Sequence, residues 1–170
     1  MIVAFFGPSC VEKTTIALAA QDRLALPLRS CGAVVVERAA RLGVPFTELR
    51  DEEHAAVDAN TLSWVAGHQS CLVEGRFLDA VLSPVAGRTI LVRVEARLED
   101  RCRRWAARRI PLTSAELDRL DGVDLTFRAR LYDGSQRIQP VLTLSSSELS
   151  VEACVQSVTS LLGARPTSRG

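Results

Sequence analysis

The sequence predicts an α/β fold in which about five parallel strands are flanked by helices. Short apolar runs alternate with longer segments of helical pattern, the order that builds a parallel sheet with right-handed crossovers. The first run, Ile2-Val-Ala-Phe-Phe6, is continuous and stops at Gly7-Pro8, as a strand buried on both faces does. The chain has 170 residues, 47% of them hydrophobic and only 5% aromatic, which suits one domain of helices packed on aliphatic strands.

The elements follow in order. After Ile2–Phe6, a helix runs from Thr14 to Leu24 with Ile16, Leu18, Ala19 and Leu24 on one side. Ala33 to Leu42 reads as a helix closed by Gly43, although Val34-Val-Val36 suits a strand equally well and both readings stay open. Thr47 offers an N-cap for a long helix reaching Ala66, with Gly67 ending it. Ser70–Val73 and Thr89–Val92 are two more buried strands. An arginine-rich helix covers Leu98 to Arg109, and another covers Ser114 to Tyr132 with an interruption at Gly122. Val141–Leu144 is the last strand. Ser150 then caps a helix with Val151, Val155, Val158 and Leu162 on its apolar face, and residues 165–170 are expected to form a flexible tail.

The net charge of +1 gives no reason to expect nucleic acid or a membrane surface as partner. Met1–Phe6 is apolar but has no preceding positive charge, so it reads as a strand and not as a signal peptide. The five cysteines are odd in number and none are spaced as metal knuckles, so a reducing cytoplasm is the simpler setting. His54 and His68 have no partner at ligand spacing and read as surface or loop residues.

Gly7-Pro-Ser9-Cys10-Val11-Glu12-Lys13-Thr14 nearly fits the phosphate-loop pattern G-x-x-x-x-G-K-[ST], directly after a strand and opening a helix. In that arrangement backbone N–H groups from the loop through Thr15 face phosphate oxygens. Lys13 neutralises the outer phosphates of ATP, and the Thr14 hydroxyl completes a Mg²⁺ shell. The departure is Glu12, which stands where the pattern has glycine. A side chain there strains the loop if the backbone needs positive φ, and it adds negative charge near a polyphosphate.

From this loop onward the chain resembles the compact cytidylate kinases. The resemblance rests on Ser30-Cys-Gly32 before a helix closed by Gly43, on Leu72-Val-Glu74-Gly-Arg76, and on Ile90–Ala96 leading into Leu98-Glu-Asp-Arg101 and Arg104. Arg130-Leu-Tyr132 and Val141–Ser147 complete it in the same order. It implies a P-loop kinase domain over residues 1–164, with an acceptor-binding segment at about 30–67 and a lid at about 101–130. It implies transfer of the ATP γ-phosphoryl group to a nucleoside monophosphate or a related small molecule, by a monomer or homodimer. Ser30, Gly32, Arg38, Asp58 and Arg76 would bind the acceptor. Lys13, Glu74, Arg104, Arg108 and Arg128 would be catalytic, with Thr14 and Glu74 at the metal. Arg101, Arg104 and Arg108 share a helix face, which favours a common target. A second departure is Val34-Val-Val36-Glu37, which stands where the family has an arginine that grips the acceptor's phosphate.

Overall fold

The computed structural model describes residues 1–107, 113–132, 134 and 136–164. Five strands, β1 (Ile2–Phe6), β2 (Leu28–Ser30), β3 (Cys71–Gly75), β4 (Thr89–Glu95) and β5 (Leu142–Ser145), form one sheet in the order β2-β3-β1-β4-β5. Every pairing is parallel. β1 is therefore central, and successive side chains along it enter opposite faces. Val3 and Phe5 pack with Ile16, Ala17, Ala20, Cys154 and Val158 on one face. Ile2 and Ala4 pack with Val65, Leu78 and Leu82 on the other.

The helices supplying those residues are α1 (Lys13–Leu24), α2 (Cys31–Leu42), α3 (Asp51–Ala66), α4 (Leu78–Val81), α5 (Leu98–Ala106), α6 (Ser114–Tyr132) and α7 (Val151–Gly163). In α1 the buried positions are Lys13, Ile16, Ala17 and Ala20, a strict i, i+3, i+4, i+7 stripe. Leu18, placed on that stripe by the sequence reading, is half exposed instead. Ser30 and Ser150 cap α2 and α7 by accepting from the amides of Ala33 and Ala153.

Several elements differ from the expectation. Ala33–Leu42 is helical throughout and begins two residues earlier, at Cys31. The strand at this point of the chain is the three-residue β2, which the sequence reading did not find. Thr47 sits in a short 3₁₀ turn, and α3 starts at Asp51 with Arg50 at its N-cap. Asp51, Glu52 and Glu53 in the first turn compensate the helix dipole there. α6 runs unbroken through Gly122. The arginine helix α5 ends at Ala106; Arg108 and Arg109, like the expected tail at 165–170, lie outside the described residues.

No described helix is long and apolar enough to cross a membrane. The chain leaves β1 toward β2 and β3, then crosses to the opposite side for β4 and β5, which opens a crevice at the strands' carboxyl ends. Gly7 closes β1 there with φ 149°, and a Cβ at this position would lie 2.1 Å from the Val94 carbonyl oxygen. Gly7→Ala must therefore push β1 from β4. The expected cost is about 3 kcal/mol or more; urea denaturation checks it, and a loss below about 1 kcal/mol would show that the loop has room.

Candidate functional site

The parallel register brings Ser30 beside Glu74 and Phe6 beside Gly75, so the ends of β2, β3 and β1 reach the same edge. Close approach is enforced locally. A Cβ on Gly75 would meet Cys31 Cβ at 3.1 Å, so glycine lets the start of α2 lie against the end of β3.

The loop at residues 7–12 carries two non-glycine residues in left-handed backbone, Cys10 (φ 62°) and Glu12 (φ 66°). Each costs on the order of 1–2 kcal/mol. Glu12 is the N-terminal flanking residue of α1, and its side chain makes no cap. Its carboxylate pairs with Arg104 at 3.4 Å. Arg104 also donates to Cys10 O at 3.3 Å, Ser146 Oγ at 2.9 Å and Ser146 O at 2.7 Å. Arg101, 6% exposed, donates to Ser9 O at 2.9 Å and clasps Asp121 through both terminal nitrogens. Arg101 and Arg104 thus share the loop as their target, as their spacing on one helix face predicts.

Lys13 is buried and donates to Pro8 O at 2.6 Å. Desolvation pushes its ammonium down to about 8; the nearby Glu74 opposes the fall and Arg76 adds to it. These couplings place Lys13, Glu74 and Arg76 in one neighbourhood. The first-turn amides of Lys13, Thr14 and Thr15 find no backbone acceptor among the described residues. Thr14 and Thr15 are exposed, whereas Val11 is fully buried and seats the loop on the core.

Glu74 is 4% exposed, and Ser30 Oγ donates to its Oε1. Its Oε2 has no partner among the described residues. Gly32 lies exposed in the first turn of α2. Arg76 pairs with Asp124 of α6 at 2.6 Å rather than with Glu74 two residues earlier. Arg128 pairs with Asp79, and the orphaned buried atoms Asp79 Oδ1 and Arg128 Nε lie in that pair. Asp124 and Arg128, four apart on one helix, therefore reach different partners. Arg38 pairs with Glu53 across α2 and α3. Tyr132 donates to Asp58, whose carboxyl burial pushes up to about 6 against the effect of that bond. His54 is half-buried and its ring meets Phe127 edge-on at 4.8 Å, so it is a packing residue and not a surface one.

The sequence reading missed two of the acids that complete this region, Asp79 and Asp121, and noted Asp124 only for its spacing of four from Arg128, not as the partner of Arg76. The arginine partners of Asp79, Asp121 and Asp124 lie 49, 20 and 48 residues away, so no local spacing signals the pairing. Ser146, the anchor of Arg104, was likewise missed.

Solved structures share this architecture. A shikimate kinase from Bacteroides thetaiotaomicron is 19% identical with TM-score 0.65, covering 96% of this chain and 98% of its own. A shikimate kinase from Acinetobacter baumannii in complex with shikimate is 15% identical with TM-score 0.66, covering 98% and 95%. A gluconokinase from Sinorhizobium meliloti 1021 is 14% identical with TM-score 0.61, covering 95% and 94%. No protein-family model and no curated protein matches the chain. The likeness is one of fold: this chain has the fold of the P-loop kinases.

Two outcomes test the loop. Glu12→Gly removes a carboxylate near the amides, where a unit charge contributes on the order of 1–3 kcal/mol to a bound polyphosphate. Mg-ATP should bind about tenfold tighter or more by calorimetry. Stability should stay within about 1 kcal/mol, because relief of left-handed strain offsets the lost ion pair and the added chain entropy. Lys13 is cationic well below pH 8 and loses its proton as the pH rises through about 8. Log affinity for Mg-ATP should thus bend downward around pH 8 and fall by at most one unit per pH unit above it. Lys13→Arg should remove the fall.

Proposed function

We propose that this chain is an ATP-dependent small-molecule kinase with Mg²⁺ as its metal. The observation carrying this reading is the convergence of Lys13, Glu74 and Arg76 beside the free amides of α1 at the carboxyl edge of the sheet. An amide nest opened by a helix N-terminus favours anions, and Lys13 matches the outer phosphates of a nucleotide. The exposed Thr14 hydroxyl is an oxygen donor suited to holding Mg²⁺ directly, with Glu74 orienting the metal through a bound water. The metal when bound supplies charge neutralisation on the phosphate oxygens.

Glu74, buried and one strand away from the loop, accepts the proton of the attacking hydroxyl through Oε2, while Ser30 holds Oε1. Arg76 orients the acceptor. Arg104 lies across the loop rim and faces the charge that develops on the transferred group, and Arg101 fixes the loop's shape. Arg128, bound to Asp79 under α6, positions the lid helix. Arg108, outside the described residues, belongs to the same proposal through its spacing of four from Arg104 in the sequence. The finer version, in which a nucleoside monophosphate is the acceptor in the manner of a cytidylate kinase, rests on the ordered motifs and on Arg76. A non-catalytic ligand-binding role has one specific observation in its favour, the engagement of Glu12 with Arg104 over the loop.

A coupled ADP-release assay over CMP, UMP, AMP, GMP, their deoxy forms and unphosphorylated hydroxyl compounds should show turnover with at least one acceptor. Glu74→Gln should lower kcat by about 10²-fold or more. No turnover together with no measurable Mg-ATP binding would sink the kinase reading and leave the non-catalytic one.

A further inference from the structure

The acceptor side of the crevice is built from the ends of β2 and β3, the facing sides of α2 and α3, and the last turns of α6. Its cationic side chains are Arg29, Arg38 and Arg76, and none is idle. Arg29 donates to Asn60 and to Thr61 Oγ1 at 3.4 Å, and its guanidinium lies 5.6 Å from the Trp64 ring centroid. Arg38 is held by Glu53. Arg76 is held by Asp124 and lies over Phe77 at 5.5 Å. The acids Glu53, Asp58, Glu74 and Asp124 outnumber these three cations by one.

The two acids without a cation in contact are the informative ones. Glu74 Oε1 takes its hydrogen bond from the Ser30 hydroxyl, and Asp58 Oδ2 takes its bond from the Tyr132 hydroxyl. Both carboxylates are thus already bound by alcohol-type donors, and each keeps a second oxygen with no partner among the described residues. A phosphate dianion entering here meets four carboxylates against three guanidiniums, two of them already paired with acids and the third, Arg29, turned onto Asn60 and Thr61, so the field it meets is net negative. A molecule rich in hydroxyl groups can donate to the second oxygens of Asp58 and Glu74, replacing water there. Burial holds Asp58 up to about 6, so at neutral pH it is an ionised acceptor that has lost part of its water and gains most from a ligand hydroxyl.

We propose that the acceptor is an uncharged polyhydroxy compound held by its hydroxyl groups on Asp58 and Glu74, and that it carries no phosphate of its own. This inference rests on the kinase reading above and narrows it. Glu74 Oε2 then faces the hydroxyl that attacks. The oxygen forms a bond to the γ-phosphorus as the bond to the ADP oxygen breaks, and the hydroxyl proton passes to Glu74.

The test uses matched pairs with the full-length chain: ribose and ribose 5-phosphate, glucose and glucose 6-phosphate, inositol and inositol 1-phosphate, cytidine and CMP. ADP release with Mg-ATP gives kcat/KM, and calorimetry without nucleotide gives binding. The best acceptor should be unphosphorylated, with its phosphate ester at least tenfold poorer. Asp58→Asn should raise KM for that acceptor at least tenfold with kcat changed less than threefold. Glu53→Gln, which frees Arg38, should narrow the gap within the pair, a result that a merely structural role for Glu53 does not give. A phosphate ester as best acceptor overturns the proposal while upholding the kinase. Binding of an uncharged member without turnover, together with no Mg-ATP binding, upholds the ligand class and removes the kinase reading. Failure of every uncharged member both to bind and to turn over overturns the proposal.

Discussion

The buried guanidinium of Arg101 joins parts of the molecule that no strand connects. It holds the Ser9 carbonyl of the phosphate-type loop with Nε and the Asp121 carboxylate of α6 with its fork. A cation this deeply buried needs such a set of partners, because an unpaired one would cost several kcal/mol in lost hydration. The requirement works in both directions. The loop cannot change shape without disturbing Arg101, and α6 cannot leave without stranding it. The geometry of the loop and the position of α6 are therefore one problem.

α6 shows why that coupling is needed. Of its 19 residues only Leu117 is fully buried, and Val123 and Leu125 are more than half exposed. Hydrophobic burial gives this helix little hold on the sheet. Side-chain contacts do most of the fastening: Asp121 to Arg101, Asp124 to Arg76, Arg128 to Asp79, Arg130 to Asp51 and Tyr132 to Asp58. Exposed pairs such as Arg130–Asp51 contribute little, so the half-buried contacts along the crevice dominate. A helix held this way moves when a ligand competes for its partners, which suits a lid.

The sheet was legible in the sequence because its strands are continuous apolar runs ended by turn residues, as at Ile2–Phe6 and Thr89–Glu95. β2 was not, since three half-buried residues with a single neighbouring strand leave no period to read. Gly122 misled because an interior glycine costs about 1 kcal/mol, and tertiary ion pairs on both sides of it outweigh that cost. Of the site, the loop and the Glu74–Arg76 segment were visible through their chemistry at fixed spacing. The charge partners were invisible, since Arg76 meets Asp124 only through the packing of α6. The strain suspected at Glu12 is real, with φ 66°. Its compensation by Arg104 depended on a contact 92 positions away along the chain, and spacing alone could not show it.

Charge is distributed unequally across the crevice, and that inequality separates the two ligands. On the loop side, Lys13 and Arg104 spend their donors largely on neutral oxygens, at Pro8, Cys10 and Ser146, while Arg101 gives one nitrogen to the Ser9 carbonyl and two to Asp121. A phosphate can displace such neutral partners at modest cost, because a carbonyl left behind can turn to water. Glu12 and Asp121 are the exceptions, and Glu12 tempers the field where α1 begins. On the far side, Arg29 is held by the neutral Asn60 and Thr61, but Arg38 and Arg76 are bound to carboxylates, whose displacement would leave a charge behind. Anions are thus favoured on the loop side and penalised opposite it.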